Sequence, residues 1–194
     1  MIKHKIPVRV IGIIAGLAAI SALTQLTHIG YQSPQFGMWI DVVAVSWFLA
    51  YFMFGARVTL IVSVLGALVI TFFAPDTWLG ASMKWVATAP LWVVFDLWIR
   101  TLRKPLNYYA SPSSLVLPLL IGVVIRCAVI IPLNYYYAIP IWTGMTTVQA
   151  MSAIPWYVIA IFNIIQSALD VGLAWVLVYT FKIHRYSSRP KEVL

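Results

Sequence analysis

Apolar stretches close to the length of a bilayer crossing fill almost the whole of this 194-residue chain. A spanning helix needs about 20 predominantly apolar residues to cross a hydrocarbon core of roughly 30 Å. Six stretches meet that description, at about 8–29, 38–54, 57–74, 79–102, 114–137 and 152–182. Between them lie short breaks: Phe54-Gly55-Ala56-Arg57, Pro75-Asp76, the polar run from Asn107 to Ser114, and Pro140 to Gln149. Charged residues make up 9% of the chain, against roughly 25% in soluble domains. Such a chain cannot clothe a soluble surface, so lipid must cover it. The expected fold is an all-α integral membrane domain of six transmembrane helices, spanning 1–194 with no separate soluble part.

The N-terminal Met1-Ile2-Lys3-His4-Lys5 followed by an apolar run has the outline of a signal peptide. The run from Val10 to about Ile29 exceeds the 7–15 residues of such a core, so it is read as the first spanning helix. The basic residues then sort by side. Lys3, Lys5 and Arg9 precede helix 1, Arg57 lies between helices 2 and 3, and Arg100, Arg103 and Lys104 lie between helices 4 and 5. Lys182, Arg185, Arg189 and Lys191 follow helix 6. The alternate connections, 30–37, 75–78 and 138–151, carry no Lys or Arg. Positive residues favour the cytoplasmic side, which predicts both termini in the cytoplasm and a plasma-membrane location.

The formal charge of +8 is spread over these short clusters rather than along a soluble face, so nucleic acid is not an expected partner. Cys127 is the single cysteine and Glu192 the single glutamate, and His4, His28 and His184 lie outside the helix interiors. No phosphate loop and no His-Glu-x-x-His pattern is present. The residues point to binding or transport, without an enzymatic activity, a metal or a cofactor.

A few polar residues at lipid depth need partners. Arg126 and Asp170 each lie about 12 residues from the cytoplasmic ends of helices 5 and 6, roughly 18 Å deep. An isolated charge there is expensive, so the two are expected to pair, either as a structural tie or as a charge linked to substrate. Asn163, Gln166 and Asp170 recur at helical spacing on one face of helix 6. With Asn134 and Lys84 they form either interhelical glue or the wall of a polar ligand site. Lys84 either snorkels to headgroups or meets an anionic group. Asp96 and Arg100 are spaced for an interfacial pair. Trp39, Trp78, Trp142 and Trp156 fall at outer ends, as an aromatic belt or a stacking surface. Trp85 lies further in and is expected in a pocket. Helix 1 carries small residues four apart, Gly12/Gly16, Ala15/Ala19 and Ala18/Ala22, which suit internal packing or close docking of another membrane helix.

Four stretches together resemble the substrate-binding S-component of energy-coupling factor (ECF) vitamin transporters, and among these the riboflavin-binding members. They are Ile40-Asp41-Val42-Val43 with Phe54-Gly55; Trp78 to Thr88, which is similar to a Gly-Ala-x-x-Asn-Phe-x-Ala-Thr helix start; Ile131-Pro132-Leu133-Asn134-Tyr135; and Ile154-Pro155 with Phe162-Asn163-Ile164-Ile165-Gln166. The resemblance implies a six-helix S-component bundle with an outward pocket and no enzymatic activity. Its implied partners are a vitamin, a transmembrane coupling subunit and two cytoplasmic ATPases. Ala15, Ala19 and Ala22 would contact the coupling subunit, and Asn134 and Asn163 would hydrogen-bond the polar edge of an isoalloxazine ring. Two positions depart from the pattern: Gln166 stands where a Lys is expected, and Lys84 where an Asn is. The resulting expectation is a ligand site of Asn134, Asn163, Gln166, Lys84, Trp85 and Asp41, gated by 30–37 and 138–151, with riboflavin or a relative as ligand. The alternatives are an S-component for another vitamin and a structural membrane scaffold of the same fold, of the cell-shape type.

Overall fold

The computed structural model describes residues 7–73 and 78–183. Lys3, Lys5, His4, the Pro75-Asp76 break, His184, Arg185, Arg189, Lys191 and Glu192 lie outside the described residues. The described residues form eight α-helices and one β-hairpin: α1 Val8–Leu26, β1 Gly30–Gln32, β2 Trp39–Asp41, α2 Val45–Phe54, α3 Ala56–Phe73, α4 Trp78–Thr101, α5 Ser113–Leu133, α6 Ile139–Thr143, α7 Thr147–Ala153 and α8 Trp156–Trp175.

Four segments of the described residues are long and apolar enough to cross a membrane: Val8–Leu26, Ala56–Phe73, Ser113–Thr143 and Trp156–Thr180. This is a multi-pass membrane architecture, yet it departs from six equivalent helices. Helix α4 has 24 residues, about 36 Å at 1.5 Å per residue, but it is less apolar than the four. The second predicted helix, 38–54, is helical only over Val45–Phe54. Ten residues reach about 15 Å, half a hydrocarbon core. The upstream part of that stretch is instead β2, paired antiparallel with β1 in the register Gly30↔Asp41, Tyr31↔Ile40 and Gln32↔Trp39. Gly30 is required in that pairing, because a Cβ there would lie 2.2 Å from the Ile40 carbonyl oxygen.

Helix α2 is the centre of the bundle. From Val45 to Met53 only Leu49 escapes full burial, the pattern of a helix apolar on every face and enclosed on every side. It packs between α3 and α8, while α1 lies along α3 and α4 along α5. Gly55, with φ at +83°, turns the chain from α2 into α3.

At this end of the bundle Phe48, Tyr51, Phe52, Phe95 and Tyr109 interlock, with ring centroids 5.0–6.5 Å apart. Edge-to-face arrangements of this kind add to the area they bury. The Tyr109 hydroxyl donates to the Phe95 carbonyl at 2.6 Å, and the Trp175 indole N–H donates to the Tyr109 carbonyl at 2.8 Å. The connection after α4 is thereby pinned to α4 and α8. This end also carries Arg57, Arg100, Arg103, Lys104 and Lys182 by chain connectivity, and Asp96 and Arg100 pair across one helical turn at 2.6 Å.

The predicted loop 138–151 is instead largely helical. Helix α5 runs on through a widened turn at Asn134–Ala138, where the Ile139 N–H reaches back to the Asn134 carbonyl, and into α6. Such a π-type turn accommodates Pro140, which has no N–H to give. Thr146 and Gln149 then form a capping box that starts α7: the Thr146 N–H donates to Gln149 Oε1 at 2.8 Å, and the Gln149 N–H to Thr146 Oγ1 at 3.4 Å. The spacing Thr146-x-x-Gln149 is a readable helix-start signature. Pro155 ends α7's connection and opens α8, so the single predicted run 152–182 is divided.

Candidate ligand cavity

The hairpin, α4, α5 and α8 meet around a cavity of about 230 Å³ at the end opposite the aromatic cluster. Asp41, Lys84, Asn134, Asn163 and Gln166 all line it, and Arg126 joins them. Its apolar wall includes Met38, Trp39, Met83, Ile130, Trp142 and Phe162. Few polar groups in a mainly apolar concavity are the usual make-up of a small-molecule site.

Each polar side chain is placed by a separate element. Asp41 ends β2. Its Oδ1 accepts the Val43 N–H at 3.0 Å, which turns the chain towards α2, and its Oδ2 accepts from the Lys84 ammonium. Lys84 therefore does not snorkel outward. It crosses from α4 to the hairpin as half of a largely buried ion pair. Gln166, on α8, grips the same strand. Its Oε1 accepts the Asp41 N–H at 2.9 Å, and its Nε2 donates to the Asp41 carbonyl at 2.8 Å and to Asp170 Oδ1 at 2.7 Å. A carboxamide is here the partner that a third strand would have been. Irregular or extended backbone at membrane depth is tolerated where such partners satisfy it. Both donors of Gln166 are thus engaged within the protein.

The floor is built on α5 and α8. Arg126 is 4% exposed and Asp170 0%. Arg126 Nε donates to Asn163 Oδ1 at 2.8 Å, and Asn163 Nδ2 donates to the Ile159 carbonyl at 2.9 Å. Arg126 Nη1 and Asp170 Oδ2 stand 3.9 Å apart, too far for a direct hydrogen bond, and neither atom has another hydrogen-bond partner. Asn134 Nδ2 donates to the Ile130 carbonyl at 2.9 Å.

Other predicted residues fall elsewhere. Trp85 is not among the cavity-lining residues: its indole N–H donates to Ser63 Oγ at 3.1 Å, and its ring packs with α1, α2 and α3. Trp85 sits about 100° round the helix from Lys84, on the side away from Met83, and it is turned towards α1, α2 and α3. Of the four end tryptophans, Trp39 and Trp142 touch the cavity and Trp78 and Trp156 do not, and Trp78, Trp142 and Trp156 are all exposed. On α1, Ala15 and Ala19 are exposed and Ala22 is buried. The lining residues that the expected ligand site did not contain include Arg126, Met83, Ile130, Phe162 and Phe36-Gly37-Met38 near the hairpin tip. The buried charge of Arg126 was the available signal for the first.

The chain is therefore a helical membrane bundle with a partly open, polar-floored cavity at one end. The structure of the S component of a bacterial ECF transporter is similar to it, with a TM-score of 0.69 and 21% sequence identity over 93% of this chain and 98% of that one. No protein-family model matches the chain, and no curated protein matches it. The likeness is one of fold.

Proposed function

We propose that this protein is the substrate-binding membrane subunit of an ECF-type uptake transporter, and that its cavity takes a small, flat, polar-edged vitamin, with riboflavin or a related flavin as first candidate. The observation that carries this reading is the convergence of Asp41, Lys84, Arg126, Asn134, Asn163 and Gln166 from four elements onto one cavity, within a fold similar to that of an S component. In this reading α4 and the α2–hairpin unit complete six passes. The basic end faces the cytoplasm by the positive-inside rule, and the cavity faces outward at the plasma membrane. The subunit performs no reaction of its own. A coupling subunit and two ATPases drive it.

The cavity, at about 230 Å³, is below the roughly 300–1,000 Å³ of pockets for drug-sized ligands. A one- or two-ring headgroup suits it as it stands, and a three-ring flavin calls for outward movement of the hairpin or of 144–155. Titration of the purified protein with riboflavin is expected to quench flavin fluorescence. Protein that is colourless as isolated and leaves the fluorescence unchanged excludes the flavin. Absence of any copurifying small molecule by mass spectrometry, together with failure to bind a panel of vitamins, would favour a structural scaffold of the same fold instead.

The exposed small residues of α1 make a second expectation. Ala15 and Ala19 are exposed, whereas Ala22 is buried. Leucine at both Ala15 and Ala19 is expected to leave the thermal midpoint of the isolated protein unchanged. It should abolish copurification of the coupling subunit and ATPases, since close helix approach depends on small side chains. Retention of the full complex in the double variant excludes this face as the docking surface.

A further inference from the structure

We infer that Arg126 is a specificity-determining residue of the cavity, which selects ligands carrying a two-oxygen acceptor edge, either a carboxylate or a pair of ring carbonyls. This rests on the reading of the cavity as a ligand site. Arg126 lines the cavity and is 4% exposed, and its Nη1 has no hydrogen-bond partner among the described residues. A buried guanidinium N–H without an acceptor is costly. Asn163 Oδ1 fixes the group through Nε at 2.8 Å, and Asp170 balances its charge from 3.9 Å without taking its proton donors. The guanidinium is therefore held in place with donor capacity unspent. Two other cavity-lining groups also keep donors unspent. Asn163 keeps one N–H of its amide and Lys84 keeps two of its ammonium after their protein partners are counted. The Asp41 carboxylate, by contrast, already accepts at both oxygens, from Val43 and from Lys84. A donor-rich floor matches an acceptor-rich ligand edge, and a planar guanidinium matches paired oxygens better than a point charge does.

The test compares a pair of probes that differ only in this edge, with riboflavin as a third probe. Nicotinate and 3-methylpyridine share a ring that the cavity can hold, with and without the carboxylate; riboflavin presents the paired carbonyls. Binding to the full-length detergent-purified chain is read by calorimetry for the first two and by fluorescence quenching for riboflavin. Wild-type protein is expected to bind nicotinate or riboflavin at least about tenfold more tightly than 3-methylpyridine, one such step being 1.4 kcal/mol. Arg126→Met should reduce that preference to within about twofold, and Arg126→Lys should retain part of it. Because Arg126→Met leaves the Asp170 carboxylate unmatched, the double variant Arg126→Met/Asp170→Asn serves where the single variant does not fold. Its loss of preference at near-wild-type stability supports the inference. A preference that survives intact in the folded double variant overturns it, as does a wild-type protein that binds 3-methylpyridine as well as the oxygen-bearing probes. In both of those cases the cavity still binds ligand and only the role of Arg126 fails. Wild-type protein that binds none of the probes and carries no copurified small molecule overturns this inference together with the proposed function.

Discussion

Asp170→Asn is expected to destabilise the protein by about 3–5 kcal/mol, the usual cost of stranding one member of a buried ion pair. Arg126→Met/Asp170→Asn is expected to recover most of that loss. Both side chains are at least 95% buried, so solvent cannot screen the charge left behind. The 3.9 Å separation means that the pair is held by charge rather than by a direct hydrogen bond, and the Asn at 170 would still accept from Gln166. The single change therefore removes charge balance while preserving the neighbouring bond. Unfolding followed in detergent, as a full double-mutant cycle, measures the coupling. Simple addition of the two single effects would show that the residues do not interact.

Gln166→Leu should have the second large effect, and a local one. It removes the partner of the Asp41 N–H, of the Asp41 carbonyl and of Asp170 Oδ1 at once. Each unsatisfied buried group costs about 1–3 kcal/mol, and the first two belong to the hairpin. The β1–β2 unit is then expected to detach from α8 while the helical bundle stays folded. Amide exchange at residues 39–43 should rise roughly 100-fold, corresponding to about 3 kcal/mol of lost local stability. Substrate affinity should fall with it, although Gln166 has no donor left to offer a ligand. Unchanged exchange in the hairpin, with loss of affinity alone, would instead assign Gln166 to direct ligand contact.

The two expectations mark different degrees of legibility. That Arg126 and Asp170 must find each other follows from the cost of charge at lipid depth and from matching depths along helices 5 and 6. That Asn163, Gln166 and Asp170 share a face follows from helical spacing, and α8 indeed turns all three inward and Ile161, Ile164 and Ile165 outward. Distances along a helix carry such information because its rise and twist are constant. The hairpin was not legible in this way. Residues 38–54 are apolar apart from Asp41 and Ser46, and an apolar run serves a strand as well as a buried helix. Trp85 shows the same limit. In a helix apolar on all sides, composition does not say which face meets lipid and which meets protein, because both neighbours are equally apolar.

The near-continuous apolar runs and the scarcity of charge were enough, by themselves, to require a helical membrane protein and to single out Arg126, Asp170, Asn163, Gln166 and Lys84 as residues in need of partners. Which partners they take was decided only by the tertiary structure. It gives Lys84 to Asp41, spends Gln166 on the backbone of the hairpin, and holds Arg126 at the floor of a cavity with an N–H unmatched. The reason is physical: the cost of burying a polar group depends on its position along one helix, whereas the group that offsets it belongs to a neighbour distant in sequence and brought near only by packing.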